Sequence, residues 1–150
     1  MADTNDFNEE VIKEFRARGG EVGGPFEGRP LLLLTTKGRR TGGDHTVPVM
    51  YRREGDNVYV FASKGGAPTH PDWYRNLEEN PRVVVEMGND KFEADAYPIS
   101  SREERDQVFA RQAKEYPQFG EYQAGTERII PVVVLKPVSS DERVPAERSA

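Results

Sequence analysis

Residues 31–43 read LLLLTTKGRRTGG, an apolar run that passes at once into a basic loop between glycines. The run is short, apolar on both faces and bounded by Pro30 and Gly38, which favours a buried strand over residues 31–36, although four leucines could also form a helix. The loop places cations beside hydroxyl groups and flexible backbone, the combination with which proteins approach a phosphate or a carboxylate. We therefore expect a buried strand that leads into an anion-binding loop.

A second loop, ASKGG at residues 62–66, repeats this chemistry further along the chain. Arg39 and Arg40 alone would be more typical of an ordinary solvated turn. A further cation, Lys64, in a second glycine-rich loop shifts the balance towards a ligand role. Because both loops fall within residues 31–73, we interpret this stretch as the binding site of an anionic cofactor.

The composition limits the classes of protein to which the chain can belong. Its 150 residues suit one domain, which we expect to span residues 1–138 and to be followed by a flexible polar tail at residues 139–150. The net charge of −5 argues against a nucleic-acid surface, which needs a dominant basic face. Basic loops on an acidic protein point instead to a small anionic ligand.

Neither a metal site nor a membrane span is expected. The chain has no cysteine, and its two histidines, His45 and His70, are too few for a histidine-based metal site. No apolar run approaches the about 20 residues of a membrane span, and the N-terminus lacks the basic-then-apolar order of a signal peptide. A cytoplasmic protein is therefore predicted.

The rest of the sequence alternates helices with strands. Helices are predicted from a capping residue, Asp6, to Gly19, over residues 71–80, and after a cap at Ser100 or Ser101. A broken aromatic segment follows at residues 116–122. The remaining strands are predicted at residues 45–53, 57–63, 82–87, 91–99 and 129–135. Pro48 indicates that its strand lies at an edge or carries a bulge.

The turns decide how these strands pair. Residues 54–56 and 88–90 are short, glycine-containing connections, which are typical of hairpins. Strands joined by hairpins pair antiparallel, and this argues against a doubly wound parallel sheet. The sequence therefore predicts an α+β protein, mainly β, built as a six-stranded antiparallel split β-barrel with packed helices.

Four motifs resemble, in their order, those of one known family. They are LLTTKGRRTG at residues 33–42, ASKGG at 62–66, PDWYRNL at 71–77 and YPQFGEY at 116–122. Over about residues 7–138 the chain is similar to the deazaflavin-dependent nitroreductase family of actinobacteria. The resemblance implies an FMN-binding, pyridoxamine-phosphate-oxidase-like split barrel that binds coenzyme F420, a deazaflavin with a phosphate and an oligoglutamate tail. It also implies a reductase that passes hydride from F420H2 to a quinone, a nitroaromatic or a similar flat acceptor.

The resemblance further implies which residues bind the cofactor. Arginine and lysine side chains of the two loops match anion-binding positions, and a strand that contains Pro48 approaches the deazaflavin ring. Trp73, which alone would be more typical of a core anchor, matches the helix beside the cofactor. The implied cofactor-binding residues are Arg39, Arg40, Thr41, His45, Pro48, Met50, Ala62, Ser63, Lys64, Gly65, Trp73 and Asn76.

Three aromatic residues match positions of the family's acceptor pocket: Tyr116, Phe119 and Tyr122. The hydroxyl groups of Tyr122 and Tyr116 are the candidate catalytic groups, because a donor to the acceptor oxygen stabilises the negative charge that develops as hydride arrives. Tyr122 is favoured, since Pro117 ties Tyr116 to the end of the preceding helix. Two positions depart from relatives: His45 stands where Arg is frequent, and Phe119 stands where some relatives have Tyr.

Two other functions remain open at this point. An FMN-dependent split-barrel oxidoreductase would also bind a phosphate, and a non-catalytic F420 carrier or sequestering protein would use the same site without turnover. A deazaflavin supplies the hydride chemistry itself, so the protein needs to contribute binding, orientation and exclusion of water. The expected partner is a small aromatic or quinone acceptor, with at most peripheral membrane contact to reach quinones.

Overall fold

Six antiparallel strands close into a barrel, which confirms the predicted fold class. The structure is a computed structural model that describes residues 3–138, with side chains from residue 8 onward except at residue 25. The strands follow one another around the barrel in the order β1-β2-β3-β6-β5-β4, and β4 closes onto β1. Their bounds are β1 Leu31–Lys37, β2 Asp44–Glu54, β3 Asn57–Phe61, β4 Arg82–Met87, β5 Asp90–Pro98 and β6 Val132–Pro137. The helices are α1 Asp3–Ala17, α2 Asp72–Glu79, α3 Arg102–Glu115 and α4 Gln118–Ala124, with single 3₁₀ turns at Gly24–Phe26 and Lys64–Gly66.

The four leucines of β1 serve both faces of the barrel wall. Successive side chains of a strand point to opposite faces, so Leu32 and Leu34 enter the barrel interior, whereas Leu31 and Leu33 lie outside. On the outside they pack against Val11 and Phe15 of α1. The apolar run is therefore a strand that is buried on both faces, as predicted.

Helix α2 lies over one end of the barrel. Its residues Trp73, Tyr74 and Leu77 belong to the interior hydrophobic cluster. Asn76 on the same helix donates a hydrogen bond to Thr36 of β1, so the covered end is the one at which β1 ends and β2 begins. The predicted helix thus contributes apolar residues to the core and brings polar residues to the rim of the barrel.

Helices α3 and α4 pack on the outer face of β3 and β6. The ring of Phe61 on β3 lies edge-on to Phe109 and Phe119, with centroid distances of 6.0 and 5.4 Å. Residues 118–124 form α4, whereas the sequence predicted a broken aromatic segment at residues 116–122. Pro117 precedes the helix as its cap, a position at which proline does not interrupt helical hydrogen bonds.

Several boundaries differ from those predicted. β6 begins at Val132 and not at Ile129 as predicted. Pro131 has no N–H to donate to a neighbouring strand, and Ile129 is 46% exposed. α1 already begins at Asp3, so Asp6 lies inside the helix. The predicted tail at residues 139–150 lies outside the described residues, and the domain limits stay a prediction. Within residues 3–138, every helix is too short or too polar to cross a membrane.

Pro48 lies in the part of β2 that has a strand on one side only. β2 pairs with β1 through residues 44–50, but with β3 only through residues 51–54. The N–H of Tyr51 donates to the carbonyl of Pro30, which places odd-numbered residues of β2 at the positions bonded to β1. The nitrogen of Pro48 therefore points away from β1, at an edge, as the sequence indicated.

The last residue of β2 yields a prediction about stability. The two guanidinium nitrogens of Arg111 donate to the Glu54 carboxylate at 2.8 Å each, and Arg52 donates at 2.7 Å. The bonds from Arg111 are the largest cause that lowers the pKa of Glu54 to about 2; burial opposes them and Arg52 reinforces them. Because the folded pKa is depressed below its ordinary value of 4.5, this stabilisation is present above pH 4.5 and is lost as the pH falls towards 2.

We therefore expect Glu54→Gln to lower the free energy of unfolding at pH 7 by about 1–2 kcal/mol, a figure reduced for partial exposure. The variant should also lose less stability than the parent between pH 5 and pH 2.5. Urea unfolding across this pH range is the measurement, with the exposed Glu79→Gln as control. Parallel pH profiles for parent and Glu54→Gln would contradict the assignment.

Candidate functional site

A groove of about 430 Å³ lies at the end of the barrel that α2 covers. It is bordered by the β1–β2 loop, the start of β2 and the first turns of α2. Six of the predicted cofactor-binding residues meet here. The lining residues are Gly38, Arg39, Arg40, Thr41, His45, Val47, Asp72, Trp73 and Asn76. Its size is within the range that small-molecule ligands occupy.

The β1–β2 loop is held by its own backbone. The N–H of Gly38 donates to the carbonyl of Gly43 at 2.7 Å, and the N–H of Gly42 donates to Gly38 at 2.8 Å. The hydroxyl of Thr41 accepts from the N–H of Gly43 at 3.2 Å. A Cβ at position 38 would lie 2.7 Å from Nε2 of His45, so only glycine lets this imidazole rest against the loop.

Arg39 is fixed by protein groups. Its backbone N–H and its guanidinium both donate to the Oδ1 of Asn76, at 3.2 and 2.8 Å, and the guanidinium also pairs with the Asp72 carboxylate at 3.3 Å. Asn76 is 4% exposed and uses its Nδ2 to donate to the hydroxyl of Thr36 at 3.1 Å. One buried amide thus joins β1, the loop and α2, and Arg39 shapes the groove.

Arg40 differs from its neighbour. Its side chain is exposed at the groove, and no residue in the described part of the chain forms an ion pair or a hydrogen bond with it. His45 is also exposed at the groove. The two adjacent arginines are therefore not equivalent, because Arg40 and not Arg39 presents a cation without an internal partner to a ligand.

The second predicted loop lies at the same end of the barrel. β3 ends at Phe61, opposite Met50 of β2, and the second loop begins there. Residues 44–50 of β2 extend past the end of β3. Within residues 3–138, this part of β2 has β1 beside it on one side and no paired strand on the other; we call this gap in the pairing the split of the barrel, and Pro48 and Met50 lie in the strand segment that borders it. Ala62 is fully buried, Ser63 is half-buried, and Lys64 and Gly65 are exposed.

The backbone of this loop presents hydrogen-bond donors. Ser63 is right-handed (φ −79°, ψ −36°), whereas Lys64 (φ 48°) and Gly65 (φ 62°) are left-handed. Successive residues of opposite hand form a concave set of N–H groups suited to an anion. Across residues 3–138, the N–H groups of Ser63, Lys64 and Gly65 have no hydrogen-bond acceptor. The Lys64 ammonium lies 3.2 Å from the Thr69 hydroxyl and does not line the groove.

The three aromatic residues predicted for the acceptor pocket lie in different environments. Phe119 is 5% exposed, and its ring contacts Phe61 and Tyr122 with centroids 5.4 Å away in each case, an arrangement that favours packing. Tyr122 is half-buried on α4, and a Cβ at Gly66 would lie 2.9 Å from its carbonyl oxygen. α4 therefore rests directly on the second loop. Tyr116 lies at the end of α3 with the Arg29 guanidinium 5.5 Å from its ring.

Three residues of the site were given no role from the sequence, although Thr36 and Asp72 lie within the LLTTKGRRTG and PDWYRNL motifs; Arg128 lies outside all four motifs. Asp72 pairs with Arg39, Thr36 is bonded to Asn76, and Arg128 bonds the carbonyls of the second loop. Arg128 also contacts His70. The pKa of this histidine is lowered first by burial and then by the positive charges of Arg128 and Arg75, whereas the charge of Glu78 raises it. In the described ranges no group of three or more acidic or histidine side chains could hold a metal ion.

These features define a split-barrel protein with a candidate site for an anionic ligand at one end of the barrel. The chain belongs to the F420H(2)-dependent quinone reductase family, whose model matches residues 8–137. Membership confirms three predictions: the deazaflavin-dependent family, the oxidoreductase class and F420 as the cofactor. The family name refers to quinones, so reduction of nitroaromatics stays a prediction.

Individual relatives agree with this assignment. The chain is 37% identical over 127 residues to the F420H(2)-dependent quinone reductase Rv1261c of Mycobacterium tuberculosis strain H37Rv, covering 81% of this chain and 83% of the relative. It is also similar to the solved F420-H2 dependent reductase FDR-A, with 37% identity, a TM-score of 0.65, and coverage of 72% of this chain and 95% of that chain. A candidate pyridoxamine 5′-phosphate oxidase of Listeria innocua shares the fold at 13% identity (TM-score 0.53; 73% of this chain and 85% of that chain).

The buried amide of Asn76 yields a prediction about the architecture of the site. Asn76→Ala would leave the Thr36 hydroxyl and the Arg39 guanidinium without their shared partner, so we expect the free energy of unfolding to fall by about 2–3 kcal/mol. Asn80→Ala, at the exposed end of the same helix, should cost less than about 0.5 kcal/mol. Urea unfolding of both variants tests this difference; equal small losses would show that Asn76 does not hold the loop.

Proposed function

We propose that this chain is an F420H2-dependent reductase whose acceptor is a quinone or a similar flat aromatic molecule. The observation that carries the proposal is that one barrel end holds both a cation, Arg40, and a set of N–H groups, at residues 63–65, that have no partner among residues 3–138. F420H2, when bound, supplies the hydride. A barrel end with two such donor sets suits a cofactor that carries a phosphate and several carboxylates.

The donor chemistry of the two loops fits those anionic groups. Arg40 and His45 would bind anionic groups of the cofactor in the groove. Lys64 and the backbone N–H groups of its loop would bind anionic groups outside the groove, at the second loop. Charged donors bind phosphate and carboxylate more strongly than neutral donors do. Arg39 would act by keeping the groove open, since Asn76 and Asp72 already occupy its guanidinium. Thr41 would hold the loop through its bond to Gly43.

The split of the barrel suits the ring of the cofactor. Pro48 and Met50 would provide apolar contacts along the split, Ala62 would support the loop from the barrel interior, and Trp73 would border the groove. Orientation by such contacts and exclusion of water are the contributions that a protein makes to hydride transfer. None of these residues has to donate or accept a proton.

Tyr122 is the hydroxyl that we propose for the acceptor. The backbone of Tyr122 packs on Gly66 of the second loop, so its side chain would lie near the proposed cofactor, whereas the ring of Tyr116 lies 5.5 Å from the guanidinium of Arg29. A hydroxyl that donates to the acceptor oxygen stabilises the charge developing there. Phe119 would support Tyr122 through its ring contact rather than touch the acceptor.

Location and assembly form the finer part of the proposal. A cytoplasmic protein with at most peripheral membrane contact would suffice to meet a quinone. A solved structure described as a domain-swapped dimer is 34% identical to this chain, with a TM-score of 0.67 over 88% of this chain and 98% of that chain. We propose no particular oligomeric state for this chain.

The first test concerns the two cations proposed for the anionic groups of the cofactor: Arg40, and Lys64, whose one side-chain partner among residues 3–138 is the Thr69 hydroxyl. Arg40→Ala and Lys64→Ala should each remove a charge-assisted bond of about 1.5–3 kcal/mol and raise the Kd for F420 about tenfold or more. Trp73, the single tryptophan, borders the groove, so quenching of its fluorescence is the measurement. Binding should also weaken as the salt concentration rises.

The exposed Lys91→Ala, at the far hairpin of β4 and β5, is the matched control and should leave the Kd unchanged. FMN titrated in parallel distinguishes the alternative cofactor. Unchanged F420 affinity in the Arg40→Ala, Lys64→Ala double variant would rule out the assignment of these two residues.

The second test concerns the acceptor. Tyr122→Phe should reduce the turnover of F420H2 with menadione roughly tenfold to a hundredfold, because a hydroxyl donor lowers the barrier by a few kcal/mol. The Kd for F420 should change little. Tyr116→Phe should have the smaller effect, and the exposed Tyr97→Phe on β5 is the control. If both Tyr116→Phe and Tyr122→Phe retain full turnover, proton delivery comes from solvent and these hydroxyls are structural.

A further inference from the structure

Arg128 binds the second loop from inside. It lies between α4 and β6, and its guanidinium donates to three backbone carbonyls: Ser63 at 2.7 Å, Ala67 at 2.8 Å and Ala62 at 3.1 Å. A fourth contact joins it to Nδ1 of His70 at 2.9 Å. The planar fork of arginine suits several acceptors held in fixed positions. One side chain thereby connects both ends of the loop.

The charge of Arg128 has no internal counterpart. In residues 3–138, no carboxylate lies within 4.0 Å of its guanidinium, and all of its partners are neutral acceptors. Arg105, which donates to the carbonyl of Ile130, shows the usual arrangement, because it also pairs with Asp106 at 2.8 Å. A partly buried cation without a carboxylate costs free energy. Such a cost is understandable where an anion completes the site.

The direction of the bonded carbonyls determines where the loop presents its donors. In a trans peptide unit the C=O and the N–H point to opposite sides. The carbonyls of Ala62 and Ser63 point to Arg128, so the N–H groups of Ser63 and Lys64 point away from it. The bond to the Ser63 carbonyl also helps to hold Lys64 in its left-handed conformation, which is unfavourable for a residue with a side chain.

We propose that Arg128 is a positioning residue for the cofactor. It fixes the loop of residues 62–67 with Lys64 and its N–H groups turned outward, and it adds a positive charge behind them. This inference rests on the proposed function, since the loop must meet an anionic cofactor for its orientation to matter. Arg128 itself touches neither the cofactor nor the acceptor.

The experiment compares Arg128→Met and Arg128→Lys with a control. Arg128→Met removes the charge and all four contacts, whereas Arg128→Lys keeps the charge but cannot reproduce the fork. Arg52→Met is the matched control, because Arg52 is also half-buried and has several hydrogen bonds, to Glu54, Gln112 and Glu115, away from the loop. Thermal unfolding of Arg128→Met and Arg52→Met measures the stability that each substitution removes, so that a general loss of stability can be separated from a loss of cofactor binding.

We expect Arg128→Met to raise the Kd for F420, and the KM for F420H2, at least tenfold. The KM for menadione and kcat at saturating cofactor should stay within about threefold, and Arg128→Lys should recover part of the affinity. In the apo protein, NMR titration should show the pKa of His70 rising in Arg128→Met, because the positive charge beside the ring is removed. Arg52→Met should lose stability without any of these changes.

The outcomes separate this inference from the proposed function. If the parent protein binds no F420, the proposed function fails. If the parent binds F420 and both Arg128 variants bind it equally well, or lose kcat at constant KM, the positioning role is wrong and the proposed function stands. If Arg128→Met does not fold, Arg128→Lys tests the inference by itself. Kd and KM values equal to those of the parent in Arg128→Lys would show that the loop does not require the forked guanidinium, and the positioning role would be wrong.

Discussion

Closure of the barrel through β1 is the constraint on which the rest of the structure depends. β1 is hydrogen-bonded to β2 on one side and to β4 on the other, and it faces the barrel interior and α1 on its two faces. A strand in this position has no solvent-exposed face, which explains four consecutive leucines. Thr35 and Thr36 are still paired within the wall, and charged side chains begin at Lys37, where the strand reaches the rim. The basic loop therefore starts at the rim of the barrel, where a ligand can reach it.

The rim is then organised by polar side chains that are themselves buried. Asn76 must have its amide satisfied once α2 covers the barrel, because an unpaired buried amide costs about 1–3 kcal/mol. Thr36 and Arg39 satisfy it. The same contacts that remove this cost place the β1–β2 loop against α2 and form the groove. Stability of the barrel end and the shape of the site thus arise from one set of bonds.

The sequence predicted those parts of the fold that depend on local patterns. Alternating apolar residues, hairpin turns and the leucine run identified all six strands, since period and turn chemistry act over a few residues. The helical state of residues 118–124 was missed because Pro117 and Gly120 suggested a break, whereas packing on Phe61 and on the second loop stabilises a helix there. The two basic loops were recognised from their residues and assigned to one site because both fall within residues 31–73; the strand order of the structure is what places them at the same end of the barrel.

What the sequence could not supply is the pairing of distant residues. Arg39 and Arg40 are neighbours of the same type, yet Asn76 and Asp72, more than thirty positions away, bind one and leave the other free. Arg128 carries no periodic or motif signal, because its acceptors are backbone carbonyls, which every sequence has. Only the barrel register brings it beneath residues 62–67.

The two loops solve the same problem with opposite chemistry. A loop that binds an anion must be ordered while its hydrogen-bond donors stay available for the ligand. Glycine-rich segments lose much conformational entropy on ordering, so other bonds must hold them in place. In the first loop an amide acceptor, Asn76, engages one cation and leaves Arg40 available. In the second loop a cationic donor, Arg128, engages the carbonyls and leaves the N–H groups available. Each loop is thus ordered through the groups that a ligand does not need, so that binding the ligand requires little further ordering of the protein.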